Sequence, residues 1–111
     1  MSYKILRTAE FTSEIKRLSK KYHSLKKDFV NFLNSLTENP TQGTPLGNSC
    51  FKIRIAIASK GKGKSGGVRI ITCVFMKDEV ILLVGIYDKS ERSSITEKEI
   101  NERLKRFARS I

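Results

Sequence analysis

"FKIRIAIASKGKGKSGGVRIITCVF", residues 51–75, supports two incompatible readings, and the choice between them sets the fold. Ala58 followed by Gly63, Lys64 and Ser65 fits the relaxed pattern of a nucleotide-binding loop. Such a loop works because a strand leads into glycines whose N–H groups face phosphate, and a helix follows at once to add its dipole. Here the residues after Lys64 are "SGGVRIITCVF", β-branched and apolar, which predicts a strand. No helix start follows Ser65, and no Mg²⁺-binding carboxylate on a parallel strand is legible. Gly63-Lys64-Ser65-Gly66 also fits the GxxG clamp of KH domains, but that clamp joins two helices rather than two strands. The stretch is therefore a hairpin. Lys60, Lys62 and Lys64 ring its tip at alternate positions, among glycines that leave backbone N–H groups uncovered. That is a claw for anions, and its target is a phosphodiester chain.

The strands on either side extend the argument. Phe51, Ile53, Ile55 and Ile57 alternate with Lys52 and Arg54, so one face is buried and the other presents cations. "GVRIITCVFM" (67–76) and "EVILLVGIY" (79–87) are nearly continuous apolar runs, as central strands should be. The "MKDE" between them (76–79) is short enough only for a hairpin, hence antiparallel pairing. Upstream, "TENPTQGTPLGNS" (37–49) holds both prolines and two glycines and reads as a loop. Before it, apolar residues at 11, 15, 18, 22, 25, 29, 32 and 36 make a helical stripe of about seven turns. This is either one long helix or a helix pair broken at "HSLKK", where Ser24 can cap the second member. "SYKIL" (2–6) is a short edge strand. At the other end, Thr96 and Glu99 form a capping box, with Ile95 stapled onto Ile100. A helix follows over 97–110, with Ile100, Leu104, Phe107 and Ile111 on one face. The order is β-αα-βββ-α: a single α+β domain over 1–111, helices packed on an antiparallel sheet.

The totals agree with a polyanionic partner. Twenty-two Lys+Arg against eleven Asp+Glu leave +11, with a pI near 10. Such an excess repels itself in the compact state and favours nucleic acid as a ligand. Between Glu38 and Asp78 there is no acid, whereas Lys52, Arg54, Lys60, Lys62, Lys64, Arg69 and Lys77 all fall there. General solubility would scatter both signs. No apolar run approaches the ~20 residues of a membrane span, and none marks a signal peptide, so the cytoplasm is the expected location and no membrane partner is expected. Cys50 and Cys73 are too far apart for a zinc knuckle, and Cys73 reads as a small buried hydrophobe in a strand. His23, the one histidine, reads as a structural residue of the helix stripe. No metal site or cofactor is expected.

The succession "CFKIRIA", basic glycine loop, "GGVRIITCVF" and "VILLVGIYDKSERSSIT", after "FTSEIKRLSKKY…FLNSL…G…L", resembles the RelE/HigB family of bacterial toxins, closer to the HigB-like branch. The resemblance covers nearly the whole chain. It implies a toxin–antitoxin system in which an endoribonuclease cuts mRNA in the ribosomal A site, without metal or organic cofactor, and is restrained by a cognate antitoxin. Sheet cations that grip mRNA match Lys52 and Arg54, and the phosphate-stabilising arginine after the glycine loop matches Arg69. The cluster after the last strand matches in character through Lys89, Glu91 and Arg92. Two positions depart from RelE: its catalytic arginine falls on Ser90 and its catalytic tyrosine on Thr96.

RNA is cut without metal when its 2′-OH attacks the adjacent phosphate, leaving a 2′,3′-cyclic phosphate. The enzyme must take the 2′-OH proton, stabilise the phosphorane charge and protonate the leaving 5′-oxygen. With no histidine pair, the base is a lysine or a carboxylate. Crowding by other cations favours a lysine's neutral form, which nominates Lys52 and Lys89; Glu91 is the carboxylate candidate. Arg69 is the transition-state clamp, and Tyr87 a candidate for stacking on a base. The antitoxin should be acidic, bound to the basic groove or the helix pair. Two other functions fit a basic domain of this kind: a ParE-type poison of DNA gyrase that does not cut RNA, and a non-catalytic RNA- or ribosome-binding module.

Overall fold

The computed structural model describes residues 3–60 and 67–111. The elements are β1 (Lys4–Arg7), α1 (Ala9–Lys21), α2 (Leu25–Glu38), β2 (Thr44–Gly47), β3 (Cys50–Ile55), a 3-10 turn (Ala58–Lys60), β4 (Val68–Phe75), β5 (Val80–Asp88) and α3 (Glu97–Ser110). One five-stranded sheet has the order β1-β5-β4-β3-β2. The helical stripe is two helices, turned at residues 22–24. Ser24 stands at the N-cap position of α2 without capping it. Its hydroxyl instead donates to Asp28 Oδ2 (2.8 Å) and accepts from the Ser59 N–H (2.8 Å), while Ala58 N–H also donates to Asp28 (3.1 Å). The root of the glycine-lysine hairpin is thereby tied to the start of α2.

The two helices cover one sheet face. Phe11, Leu18, Leu25 and Leu36 are fully buried there against Ile53, Val68, Ile70, Ile81 and Leu83. Each such side chain contributes about 2 kcal/mol by leaving water. The opposite face carries Cys50, Ile71, Cys73, Leu82 and Val84, and is covered in part by Ile100 of α3 and by Ile95 just before that helix. Thr96 caps α3 with the expected capping box. Leu104 and Phe107 are half-buried on this side, but Ile111 lies past the helix end and is exposed.

Several local expectations are corrected. The 37–49 segment contains β2, paired antiparallel with β3 through a two-residue turn in which Asn48 and Ser49 both have positive φ (53° and 61°). Asparagine and serine after Gly47 suit that turn, and Pro45 is tolerated because β2 is an edge strand. The sheet is mixed rather than wholly antiparallel, because β1 runs parallel to β5. Its connection to the rest is the helix pair, which carries the chain across the sheet. His23 lies exposed in the turn between the helices, not in their packed stripe. Cys73 is buried, but as one half of a disulfide with Cys50, its direct cross-strand neighbour.

Past Arg7 the chain leaves the edge of β5, and side chains take over its backbone groups. Thr8 donates to the Val84 carbonyl (2.9 Å) while accepting from Phe11 N–H (3.0 Å) as cap of α1. Glu14 accepts from Ile86 N–H (3.2 Å). Arg103 of α3 reaches across to Glu14 with two bonds (2.9 and 2.8 Å) and also donates to Val84 O (3.2 Å). Gly85 makes room for this: a Cβ there would stand 2.5 Å from Arg103 Nη1 and 2.6 Å from Ile95 Cδ1.

Candidate nucleic-acid interface

Sheet register builds the site. Across the face that carries α3, Arg54 stands opposite Arg69, and Arg69 opposite Tyr87. One row along, Thr44 is opposite Lys52 and Lys52 opposite Ile71. The result is a cavity of about 140 Å³ lined by Thr44, Lys52, Arg54, Arg69 and Lys89. Four of five lining residues are cations and none is an acid. Lys52 is half-buried and Arg54 and Lys89 are exposed, whereas Arg69 is 5% exposed. Its only hydrogen bond among the described residues is a long one from Nη1 to the Gly67 carbonyl (3.5 Å). A cationic floor with two lysines beside it can hold a phosphodiester and place two ammonium groups next to it.

Tyr87 packs beside Arg69 at 3% exposure, so its ring supports the floor and offers no stacking face. Burial pushes its phenol above the ordinary value of 10.0, against the opposing pull of Arg69 and Arg92. Lys60 ends the 3-10 turn, and its side chain, with Lys62 and Lys64, lies outside the described residues.

The turn after β5 divides its residues between two environments. Lys89 lines the cavity. Glu91 turns to α1, where it pairs with Arg17 (2.9 Å) and Lys21 (2.9 Å). Those two bonds hold its carboxyl below the usual 4.5. Arg92 turns to the start of α3 and pairs with Glu99 (2.6 Å). Asp88 is fully buried and serves as both ion-pair partner and turn former. It accepts from Lys21 (3.3 Å), the Tyr22 hydroxyl, and both the N–H (2.9 Å) and hydroxyl (2.8 Å) of Ser90. The structure therefore brings Lys52, Arg54, Arg69 and Lys89 together and leaves Glu91 and Arg92 outside. Thr44 is the lining residue that the sequence reading missed, because it sits on β2 within the segment read as loop. The glycine-asparagine-serine turn after it was the available signal. Ser90 and Thr96, the two positions at which the sequence departs from the family pattern, serve the Asp88 turn and the α3 cap.

A mixed sheet carrying a helix pair on one face and a cation-lined hollow on the other defines a small basic α+β domain. The family model for the RelE toxin of the RelE/RelB toxin–antitoxin system matches residues 3–111, and the chain belongs to that family. The fold is similar to a doubly mutated E. coli toxin RelE in the free state (TM-score 0.63, 17% identity, covering 96% of this chain and 98% of that one). It is also similar to a chain of the intact E. coli RelBE toxin–antitoxin complex (TM-score 0.50, 22% identity, 78% and 96% covered). No curated protein sequence matches it. Among the described residues no helix is long and apolar enough to cross a membrane.

Proposed function

We propose that this chain is a ribosome-dependent endoribonuclease that cuts translated mRNA in the cytoplasm and is silenced by an acidic antitoxin. The observation that carries the reading is the convergence of Lys52, Arg54, Arg69 and Lys89 on one cavity with no carboxylate in its lining. Arg54 and the rim lysines hold the RNA backbone. Arg69 donates to the non-bridging oxygens, most strongly once the phosphorane carries its extra charge. The amine of one of Lys52 and Lys89 takes the 2′-OH proton as the 2′-oxygen bonds to phosphorus. The other, as ammonium, gives its proton to the departing 5′-oxygen, leaving a 2′,3′-cyclic phosphate. Amines are weaker proton-transfer partners than imidazoles near neutral pH, so alignment of the substrate by the ribosome supplies much of the acceleration. Glu91, engaged by Arg17 and Lys21, and Arg92, engaged by Glu99, take no part in these steps.

The test is production of the protein without its antitoxin, with transcript 5′ ends mapped. Growth should stop, and cuts should appear only in translated mRNA. Arg69→Ala should lower cleavage by about 100-fold or more while the melting temperature holds. DNA breaks with intact mRNA would replace this reading with gyrase poisoning. Intact RNA and DNA, with tight ribosome binding, would replace it with a binding module.

A further inference from the structure

The chain holds two cysteines, and both are in the bond between β3 and β4. Their surroundings differ. Cys73 is 1% exposed in the middle of β4, opposite Leu82 of β5. Cys50 begins β3 and lines a hollow of about 310 Å³, with Leu46, Asn48, Ile95, Glu97 and Asn101 around it. Cys73 is not among the lining residues, so a reagent entering the hollow meets Cys50 first. A space of this volume admits a small molecule. Lys52 is the next side chain along the same face of β3, which makes the hollow a neighbour of the cation-lined cavity. The Asn48 carbonyl lies 3.5 Å from Cys50 Sγ, placed to accept from the sulfur once it carries a proton. The same backbone therefore suits the thiol as well as the bond.

We propose that Cys50 is a site of covalent exchange with small acidic thiols of the glutathione class, and that this exchange opens and closes the β3–β4 bond beside the RNA site. In the cytoplasm, the location proposed above, such bonds are usually transient, catalytic or redox-sensing. Closure takes two steps. The Cys50 thiolate attacks one sulfur of oxidised glutathione, and the other half leaves and takes up a proton. Cys73, deprotonated in turn, attacks Cys50 Sγ and releases the second glutathione. Two electrons pass from the cysteines to glutathione, and their two protons are balanced by those on the two released thiols. Cys50 and Cys73 are direct cross-strand neighbours, which makes the second step intramolecular. Excess reduced glutathione reverses both steps. Lys52 offers a cation to a carboxylate of the incoming reagent. The consequence for RNA follows from strand membership, because β3 carries Lys52 and Arg54 while β4 carries Arg69. Opening the bond removes the covalent tie between strands whose opposed arginines already weaken their pairing. That consequence rests on the reading of the cavity given above; the exchange at Cys50 does not.

The experiment uses the full-length protein in buffers of reduced and oxidised glutathione, with its mass read after acid quenching. Wild type should interconvert between a dithiol form and a bonded form, through an intermediate whose single glutathione maps to Cys50. Cys73→Ser should stop at that adduct, and Cys50→Ser should take up at least about tenfold less. If either variant fails to fold, peptide mapping of the wild-type intermediate still decides the site. Affinity for a short single-stranded oligoribonucleotide at fixed salt should be about threefold weaker in the reduced protein. An adduct at Cys73, a bond that glutathione neither opens nor closes in the folded protein, or equal RNA affinity in the two states would overturn the proposal. Exchange at Cys50 and redox-dependent affinity, with no cleavage in either state, would support it and overturn the nuclease reading instead.

Discussion

Arg69 and Arg103 are the two buried arginines, at 5% and 7% exposure, and their surroundings are opposite. Arg103 is held by both oxygens of Glu14 and by the Val84 carbonyl. Arg69 faces Arg54 across the strand pair and has no ion-pair partner among the described residues. A buried cation is costly unless it is paired, so a protein that keeps one unpaired is holding a place for an anion it does not itself supply. Arg103 is a structural bolt between α3 and α1. On the proposed reading, Arg69 is the residue that receives an external phosphate.

Removing each arginine should therefore give opposite results. Arg103→Ala leaves Glu14 without its partner and should cost about 3 kcal/mol in denaturant unfolding. Arg69→Ala relieves cation crowding and should leave stability unchanged or slightly raised, while cleavage collapses. If the two variants lost equal stability, the division between bolt and acceptor would be broken. Next in size is reduction of the Cys50–Cys73 bond. Its 23-residue separation predicts a loss of about 3 kcal/mol on the loop-entropy account, visible as a lower denaturant midpoint with reductant present.

A smaller effect sharpens the comparison at the cavity. Lys52→Ala and Arg54→Ala together should reduce the slope of log affinity for single-stranded RNA against log salt by about 1.4. The smallest effect belongs to the paired side of the turn. Glu91→Gln should change stability by less than about 1 kcal/mol, because its pairs are exposed, and should leave cleavage within about twofold. Glu91 has a folded pKa below its ordinary value. Its pairs therefore contribute fully above pH 4.5, and that contribution is lost as pH falls through the lower folded value. An acid titration of Glu91→Gln should lack this component.

The difference between the arginines also explains what could be read in advance. Alternation in 51–57, the acid-free span from 39 to 77 and the capping box are local patterns, and they located three strands, α3 and the cation set. Arg69 stood out because it follows the glycine loop in a stretch without acids. Arg103 did not, because its partner is 89 positions away and nothing in the sequence couples them. The position of Glu91 was hidden for the same reason. Its adjacency to Lys89 suggested a shared site, but tertiary packing sends its carboxylate to α1. β2 was hidden by Pro45 and Gly47, residues that usually punctuate loops and are tolerated here at a sheet edge.

The crosslink between β3 and β4 has one last consequence. Side chains on a strand alternate, so sliding β3 by one position would swing Lys52 and Arg54 beneath the helices and lift Ile53 and Ile55 into water. Like charges on directly opposite residues, as at positions 54 and 69, destabilise the native register. A covalent stitch four positions away fixes the alignment, and keeps the two arginines opposite each other.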